Sequence, residues 1–237
     1  MFRVSTCGFR PATHGRCLST TPEKIVRERL RSLLRETAQP VAVITSNLLT
    51  ALPEHSFTHH GATLSSFTSI AMDPYPLVSF SLRIPSRMAT ALKAAHSCSK
   101  SHMVINVLSA AQESTAVRFS RPDLYTEPFS SVPYTLSEEG LPVLEGCLGA
   151  LSCRLVKGSW PLHDLEFIEG QGGESAEREA VLEGNGVASE LFLARVMRVE
   201  SLPFSEDDDL ERLPLLYHRR GYATTSDILP RPNKPRP

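Results

Sequence analysis

A run of short hydroxyl side chains in the stretch from Gly61 to Leu82 could bind a polar ligand. The stretch reads GATLSSFTSIAMDPYPLVSFSL, and Thr63, Ser65 and Ser66 stand in its first half. Hydroxyl groups donate and accept hydrogen bonds, and a strand also presents backbone N–H groups, so the segment suits a planar polar ligand or a phosphate. On these residues alone, an ordinary hairpin with a polar outer face explains the pattern equally well.

A second polar group follows directly, in the segment RIPSRMATAL. Pro85 disfavours a helical conformation at the residue before it, and Ser86 is placed to cap a helix that begins at Arg87. A capped helix start has free N–H groups that attract anions, and Arg83 and Arg87 add two guanidinium groups. Arginines on a solvated helix end would give the same pattern, but the position directly after the hydroxyl strand favours an anion site.

Three histidines, His55, His59 and His60, lie between this region and the preceding strand. Histidines at positions i and i+4 of a helix can share a metal ion. The surrounding sequence PEHSFTHHG has no helical apolar stripe and no acidic third ligand at a telling spacing. We therefore interpret residues 46–60 as a solvated hairpin loop rather than as a metal centre.

The cysteines indicate neither a disulfide framework nor a zinc site. Their number is odd, there is no CxxC motif, and two of them stand near the amino terminus, the full set being Cys7, Cys17, Cys98, Cys147 and Cys153. A reducing compartment is the best match. Cys153 lies in a strand-like segment and is expected to pack as a small apolar group. The sequence also contains no GxSxG motif, so a serine hydrolase is not indicated.

The elements that must position these residues are mostly strands. Pro22, preceded by Thr21 as a possible cap, begins a helix that Gln39-Pro40 should end. Ser109 is expected to cap a second helix. Apolar runs with β-branched residues predict strands at residues 41–45, 103–108, 150–156 and 191–196.

Several segments in order resemble the flavin reductase-like family, whose fold is the FMN-binding split barrel. They are GATLSSFTSI, DPYPLVSFSL, IPSRMATAL, MVINVLSAAQESTAVRFS, EGLPVLEG and PLLYHRRGY, and the resemblance covers about residues 25 to 222. It implies a mostly β fold with flanking helices, an antiparallel Greek-key barrel. It also implies FMN, or FAD, as cofactor, NAD(P)H as electron donor, and a homodimer with flavin at or near the interface.

The resemblance also implies roles for particular residues. Ser86 and Arg87 would bind the flavin phosphate, with Arg83 as a supporting donor. Phe119 would stack or wedge against the ring, although a plain core role stays equally open. Tyr217 or Arg219 could approach the flavin or the dimer partner. The remaining predicted flavin contacts are Thr63, Leu64, Ser65 and Ser66.

One segment departs from the family pattern. Relatives commonly carry an Asp-His pair before the strand near the flavin, whereas this chain has Ala188-Ser189 there and His163-Asp164 in reversed order upstream. An acidic insertion occupies about residues 165–187. Because the family histidine often stands near the nicotinamide, three interpretations stay open: an FMN-dependent oxidoreductase reducing free flavin or an unidentified acceptor, a flavoprotein with weak turnover, or a non-enzymatic interaction protein in the mitochondrion.

Composition completes the domain assignment. The 237 residues include no apolar run near the roughly 20 residues of a membrane helix. Residues 1–20 contain three arginines and no acid, which predicts a mitochondrial transit peptide and a matrix location, although a merely disordered basic tail has the same composition. Residues 21–222 form the predicted domain, and 223–237 a disordered proline-rich tail. The acidic balance from residue 23 onward does not favour nucleic-acid binding.

Overall fold

The computed structural model describes residues 22–49, 57–94, 100–156, 159–164, 168–170, 188–201 and 213–226. Several sequence-based predictions lie outside these ranges: the transit peptide, Thr21, His55, most of the acidic insertion, and the tail from residue 227. Among the described helices, none is both long enough and apolar enough to cross a bilayer.

The chain divides into two compact units, Met1–Thr37 and Ala38–Pro237. The described part of the first unit is helix α1 (Pro22–Arg35), which begins at the predicted proline. It ends before the predicted Gln39-Pro40, and the Thr37 hydroxyl, which donates to the Leu34 carbonyl at 2.8 Å, satisfies an acceptor of the last turn. None of its residues is buried.

The second unit is built mainly from strands. In chain order they are β1 (Gln39–Pro40), β2 (Ala42–Leu49), β3 (Phe57–Leu64), β4 (Thr68–Ala71), β5 (Leu77–Ile84), β6 (Met103–Val107), β7 (Tyr134–Leu136), β8 (Pro142–Leu144), β9 (Gly149–Leu155), β10 (Trp160–Pro161), β11 (Ala188–Glu200), β12 (Leu216–His218) and β13 (Gly221–Ala223). Within the described residues, this unit also contains helices α2 (Arg87–Ala94) and α3 (Glu113–Ser120), with short 3₁₀ turns at Ala110–Gln112 and Pro128–Ser130.

Eight strands form one antiparallel sheet in the order β3-β2-β6-β9-β11-β5-β4, with β10 paired to β11. Strands β3 and β5 stand far apart in this order, yet residues of both line the same cleft. The sheet must therefore curl to bring them together. The predicted mostly β, antiparallel split-barrel fold is therefore confirmed. Two small sheets, β1-β12-β13 and β7-β8, flank it.

The barrel interior is packed with large apolar side chains. Phe80 of β5 and Phe192 of β11 are direct register partners, and their rings stack with centroids 5.4 Å apart. Helix α2 closes this core with Met88, Ala89 and Leu92. Because alternate residues of a strand point to opposite faces, every second residue of β11 from Ala188 to Ala194 is buried.

The start of strand β2, together with Val41 just before it, is buried on both faces, which explains the continuous apolar run there. Ala42 and Ile44 face the barrel interior, whereas Val41 and Val43 belong to a second apolar cluster that includes Phe119. Burial raises the pKa of the Cys153 thiol in β9 to about 12, so this cysteine packs as an apolar group, as predicted.

The predicted solvated loop at residues 46–60 is wrong at both ends. Residues 46–49 continue β2 and residues 57–60 begin β3, with Ser46 opposite His60 and Asn47 opposite His59. The polar side chains are accommodated because the sheet supplies partners: the Ser46 hydroxyl, for example, donates to the His102 carbonyl at 2.9 Å.

The segment around residues 214–222 forms a hairpin rather than a strand of the main sheet. β12 pairs with β13 and with β1 in a separate small sheet. Its apolar start does pack on the body, because Leu215 is buried and its backbone bonds to Val41 and Leu108 at 3.0 Å. The two-residue turn consists of Arg219 and Arg220, both with positive φ, 48° and 69°.

Candidate functional site

A cleft of about 1550 Å³ lies between strands β3 and β5, the start of α2, helix α3 and the segment that follows α3. Tyr217 lines it as the resemblance implied, whereas the alternative, Arg219, is not among its described lining residues. The eight predicted flavin contacts all line it: Thr63, Leu64, Ser65, Ser66, Arg83, Ser86, Arg87 and Phe119. The curled sheet brings the hydroxyl strand and the arginine segment to the same cleft, and Phe119 of α3 lies beside β3 in its lining.

We call residues 63–66, 81–83 and 85–87 the polar wall. The Ser66 hydroxyl makes two hydrogen bonds within this wall: it accepts from the Ser81 N–H at 2.9 Å and donates to the Ser81 carbonyl at 3.1 Å. The Thr63 hydroxyl donates to the Ala116 carbonyl of α3 at 2.7 Å, and the Leu64 side chain is in the barrel core. These three residues shape the wall, and Ser65 is a further exposed hydroxyl residue on it beside the exposed Ser66.

The start of α2 has the predicted cap. The Ser86 hydroxyl accepts from the Ala89 N–H at 3.1 Å. Arg83 and Arg87 are both exposed at the cleft. A capped helix start with two guanidinium groups beside it is arranged to bind an anion.

We call His59, Phe119, Phe129 and Tyr134 the aromatic wall. Phe119 contacts Phe129 edge to face at 5.0 Å, and Phe129 contacts Tyr134 in the same way at 5.4 Å. His59 packs on both Phe129 and Tyr134, at 5.7 and 5.6 Å. Phe119 is only 4% exposed, so it is a core residue whose ring also forms part of the cleft wall.

Gly61 of β3 lies against this wall and has to be glycine. A Cβ atom at this position would approach two ring atoms of Phe119 to less than 3.0 Å, closer than real Cβ contacts. The glycine therefore lets β3 pass directly beside the phenylalanine ring.

Both cleft histidines favour the neutral form. Burial lowers the pKa of His59, whose Nδ1 lies 2.7 Å from the Asn47 amide oxygen. Burial also lowers the pKa of His60, and the charges of Arg87 and His59 lower it further. Within the described ranges, no group of three or more histidine, cysteine, aspartate or glutamate side chains is arranged to hold a metal ion.

The charged side chains of the cleft favour an anionic ligand. Arg83, Arg87 and Arg118 line it together with Asp123 and Glu127. Asp123 is neutralised by an ion pair with Arg121 at 2.9 Å, which lowers the pKa of the Asp123 carboxyl. The arginines therefore dominate the potential inside the cleft.

The segment that departs from the family pattern reaches the cleft at one residue. Ser189 lines the cleft, and Ala188 beside it is buried. The upstream residues His163 and Asp164 do not belong to the described cleft lining. The position of the missing pair is therefore occupied by a short, neutral hydroxyl side chain.

Several cleft residues were missed from the sequence. His60 was assigned to a loop, although Thr58, His60, Ala62 and Leu64 alternate along one face of β3. That alternation with an apolar end was the available signal. The others are separated from the motifs by proline-rich stretches or lie in the late hairpin, and no local pattern marks them: Tyr125, Phe129, Tyr134 and Tyr222.

Fold and cleft together define an antiparallel split-barrel protein whose site suits a planar ring that carries a phosphate. The donor set supports that fit, because a cationic, capped helix start and several aromatic side chains line the same cleft. A family model described as the flavin reductase like domain matches residues 34–226. The chain belongs to that family.

Individual proteins of the family are similar to this chain at modest identity. A flavin reductase of Pseudomonas putida is 35% identical over 95 residues, 40% of this chain and about half (51%) of that protein. An FMN reductase (NADH) of Methylorubrum extorquens is 27% identical over 192 residues, 81% of this chain and 99% of that protein.

The fold is also similar to solved structures. The NADH:FAD oxidoreductase of Streptomyces globisporus, determined in complex with NAD and FAD fragments, superposes with a TM-score of 0.59 at 21% identity. The match covers 89% of this chain and 98% of that structure. This similarity agrees with the split-barrel fold, while the family model carries the family itself.

Proposed function

We propose that this protein transfers hydride from NAD(P)H to a flavin, with FMN as the bound flavin and FAD as the alternative. The observation that carries the proposal is the cleft itself: a cationic, capped helix start and a cluster of aromatic side chains line one space of about 1550 Å³, which is large enough for a flavin and a nicotinamide. Membership of the flavin reductase-like family supports the same reaction class.

The protein's own residues would bind and orient the reactants. Ser86, Arg87 and the N–H groups of the first turn of α2 would hold the phosphate, with Arg83 beside them. The exposed Ser65 and the strand backbone around it would donate to the edge of the ring. A bound flavin supplies the hydride-accepting ring, so no side chain has to act as general acid or base.

The first experiment is the visible absorption spectrum of the purified full-length chain, with mass spectrometry of the chromophore released on denaturation. We expect flavin bands and FMN, or the uptake of added FMN by a colourless preparation. Anaerobic titration with NADH and NADPH should then bleach the flavin. A protein that neither contains nor takes up any flavin would refute the proposal.

Ser189 provides a specific test of the weak-turnover interpretation. Relatives commonly carry a histidine here, and in this chain the nicotinamide side of the site has only the Ser189 hydroxyl instead of that imidazole. Ser189→His should therefore increase the rate of NAD(P)H oxidation and leave the flavin affinity unchanged. The control is Ser189→Ala. Equal rates in the two variants would show that this position does not limit turnover.

We further propose a homodimer and a mitochondrial matrix location, as the sequence suggested. Sedimentation equilibrium of the full-length chain would measure the first. A reporter fused to residues 1–25 would test the second, and a cytosolic reporter would refute mitochondrial import.

A further inference from the structure

Glu190 of β11 is a buried carboxylate that the proposed flavin chemistry does not use. Its side chain is only 7% exposed, and its register partner is Leu82 of β5. Lys93 Nζ lies 2.5 Å from one carboxylate oxygen, and the Ser159 hydroxyl donates to the other at 2.9 Å. A buried charge is tolerated when it is paired and hydrogen-bonded, and here each oxygen has its own partner.

These contacts fasten the end of α2 that lies away from the cleft. Lys93 is in the last turn of this helix of 8 residues, which spans about 12 Å. At the other end, Ser86 caps the helix and Arg87 faces the cleft. The helix is thereby attached to β11 at one end and presents the predicted anion site at the other.

Apolar packing alone defines the position of α2 poorly. Its buried face consists of two alanines, a leucine and the flexible Met88. Apolar contacts are non-directional, so such a face leaves a helix some freedom to slide or rotate. A charge-assisted hydrogen bond has a defined length and direction, and it removes that freedom.

Given the FMN site proposed above, we infer that Glu190 and Lys93 are positioning residues for phosphate binding. Their ion pair sets the position of α2 relative to β11 and β5. It thereby sets where Ser86 and Arg87 meet the flavin phosphate. Neither Glu190 nor Lys93 is among the described residues that line the cleft.

The test compares two flavins that differ in the phosphate. The full-length apoprotein is titrated with FMN and with riboflavin, which lacks the phosphate, by quenching of flavin fluorescence. We expect the unaltered protein to bind FMN about tenfold or more tightly than riboflavin, since hydrogen bonds to a charged group are worth that much. Glu190→Gln and Lys93→Met should each reduce the ratio of FMN affinity to riboflavin affinity roughly threefold or more. The reduction should come from weaker FMN binding, with riboflavin binding unchanged.

Glu200→Gln is the matched control. Glu200 lies on the same strand, its side chain is 15% exposed, and it is paired with Arg198 at 2.8 Å. Its removal breaks a comparable ion pair at a distance from α2. We expect a change in stability but an unchanged ratio of FMN to riboflavin affinity.

A double variant covers the case in which Glu190→Gln does not fold. Lys93→Met with Glu190→Leu replaces the ion pair with apolar side chains of similar size, a change that buried pairs commonly tolerate. We expect this variant to unfold near the normal urea midpoint and still to lose its preference for FMN.

The outcomes separate the two proposals. An unchanged preference for FMN in the folded double variant would overturn the positioning role and leave the flavin function intact. Equal affinities of the unaltered protein for FMN and riboflavin would overturn the phosphate site at α2 and the positioning role, with flavin binding retained. A protein that binds neither flavin would overturn both the function and this inference.

Discussion

The two walls of the cleft differ in what holds their side chains in place. On the polar wall, Ser65, Arg83 and Arg87 are exposed, and the structure beneath them is held by backbone pairing and by the helix cap. On the aromatic wall, Phe119 is buried and Phe129 packs against it. Substitutions on the polar wall should therefore change ligand binding, whereas substitutions on the aromatic wall should change stability.

The largest effect is expected at Gly61, where β3 passes the ring of Phe119. Gly61→Ala should lower the free energy of unfolding by about 2 kcal/mol, because the new methyl group forces the buried ring to move. Urea denaturation measures the loss. The control is Gly149→Ala in β9, where a Cβ atom would have no neighbour within 4 Å. Similar losses at both positions would contradict the close approach as the cause.

The combined change Ser86→Ala and Arg87→Ala should affect binding more than folding. We expect FMN affinity to fall roughly tenfold or more, because charge-assisted hydrogen bonds to the phosphate are lost. Stability should fall by only about 1 kcal/mol, the usual cost of a lost cap. Titration with FMN and with riboflavin measures the first effect. FMN affinity equal to that of the unaltered protein would remove the phosphate assignment.

The hairpin turn beside the cleft should be improved by glycine. Arg220 has a φ of 69° in a turn that favours glycine at this position, so Arg220→Gly should raise the free energy of unfolding by about 1 kcal/mol. Thermal unfolding measures the gain. Arg220→Ala removes the same charge but keeps a Cβ atom, so it serves as the control. A gain of the same size in both variants would point to charge rather than backbone strain.

The smallest effect concerns pH and the two histidines. The pKa of His60 is lower in the folded protein than its ordinary value of 6.5, so the unfolded chain binds more protons. Stability should therefore decline as the pH falls below about 6.5 and level off below the folded pKa. His60→Asn should flatten this dependence, modestly because solvent screens the half-exposed ring.

His59 offers the contrast for that measurement. Its ring is part of the aromatic wall, so His59→Asn should lower stability at every pH through lost packing, in addition to any change of slope. Urea midpoints between pH 5.5 and pH 8 separate the two effects. A pH-independent loss in the His60 variant alone would contradict the assignment.

Local signals predicted the polar wall well. Ser86 and Arg87 lie within one turn of each other, and the cap depends only on that short segment, so the start of α2 was placed correctly. The apolar run at residues 41–45 was likewise recognised as a buried strand. The family resemblance added which of these segments share one site.

Errors arose where partners are distant in the chain. Residues 46–49 and 57–60 are polar, so their strand character depends on mutual pairing and on partners such as the His102 carbonyl. β11 extends well beyond the predicted residues 191–196, because β5 pairs with its first half and β9 with its second. Such pairing is not visible in the periodicity of one short segment.

The sequence by itself determined the buried strand at residues 41–45, the start and cap of α2 and, through its ordered motifs, the family. These features depend on side chains a few residues apart, whose propensities act locally. Only the tertiary structure decided that Phe119 is both core and wall, and that Lys93 meets Glu190 across 97 positions of the chain. Such contacts follow from how the sheet curls, because the curvature sets which distant side chains become neighbours.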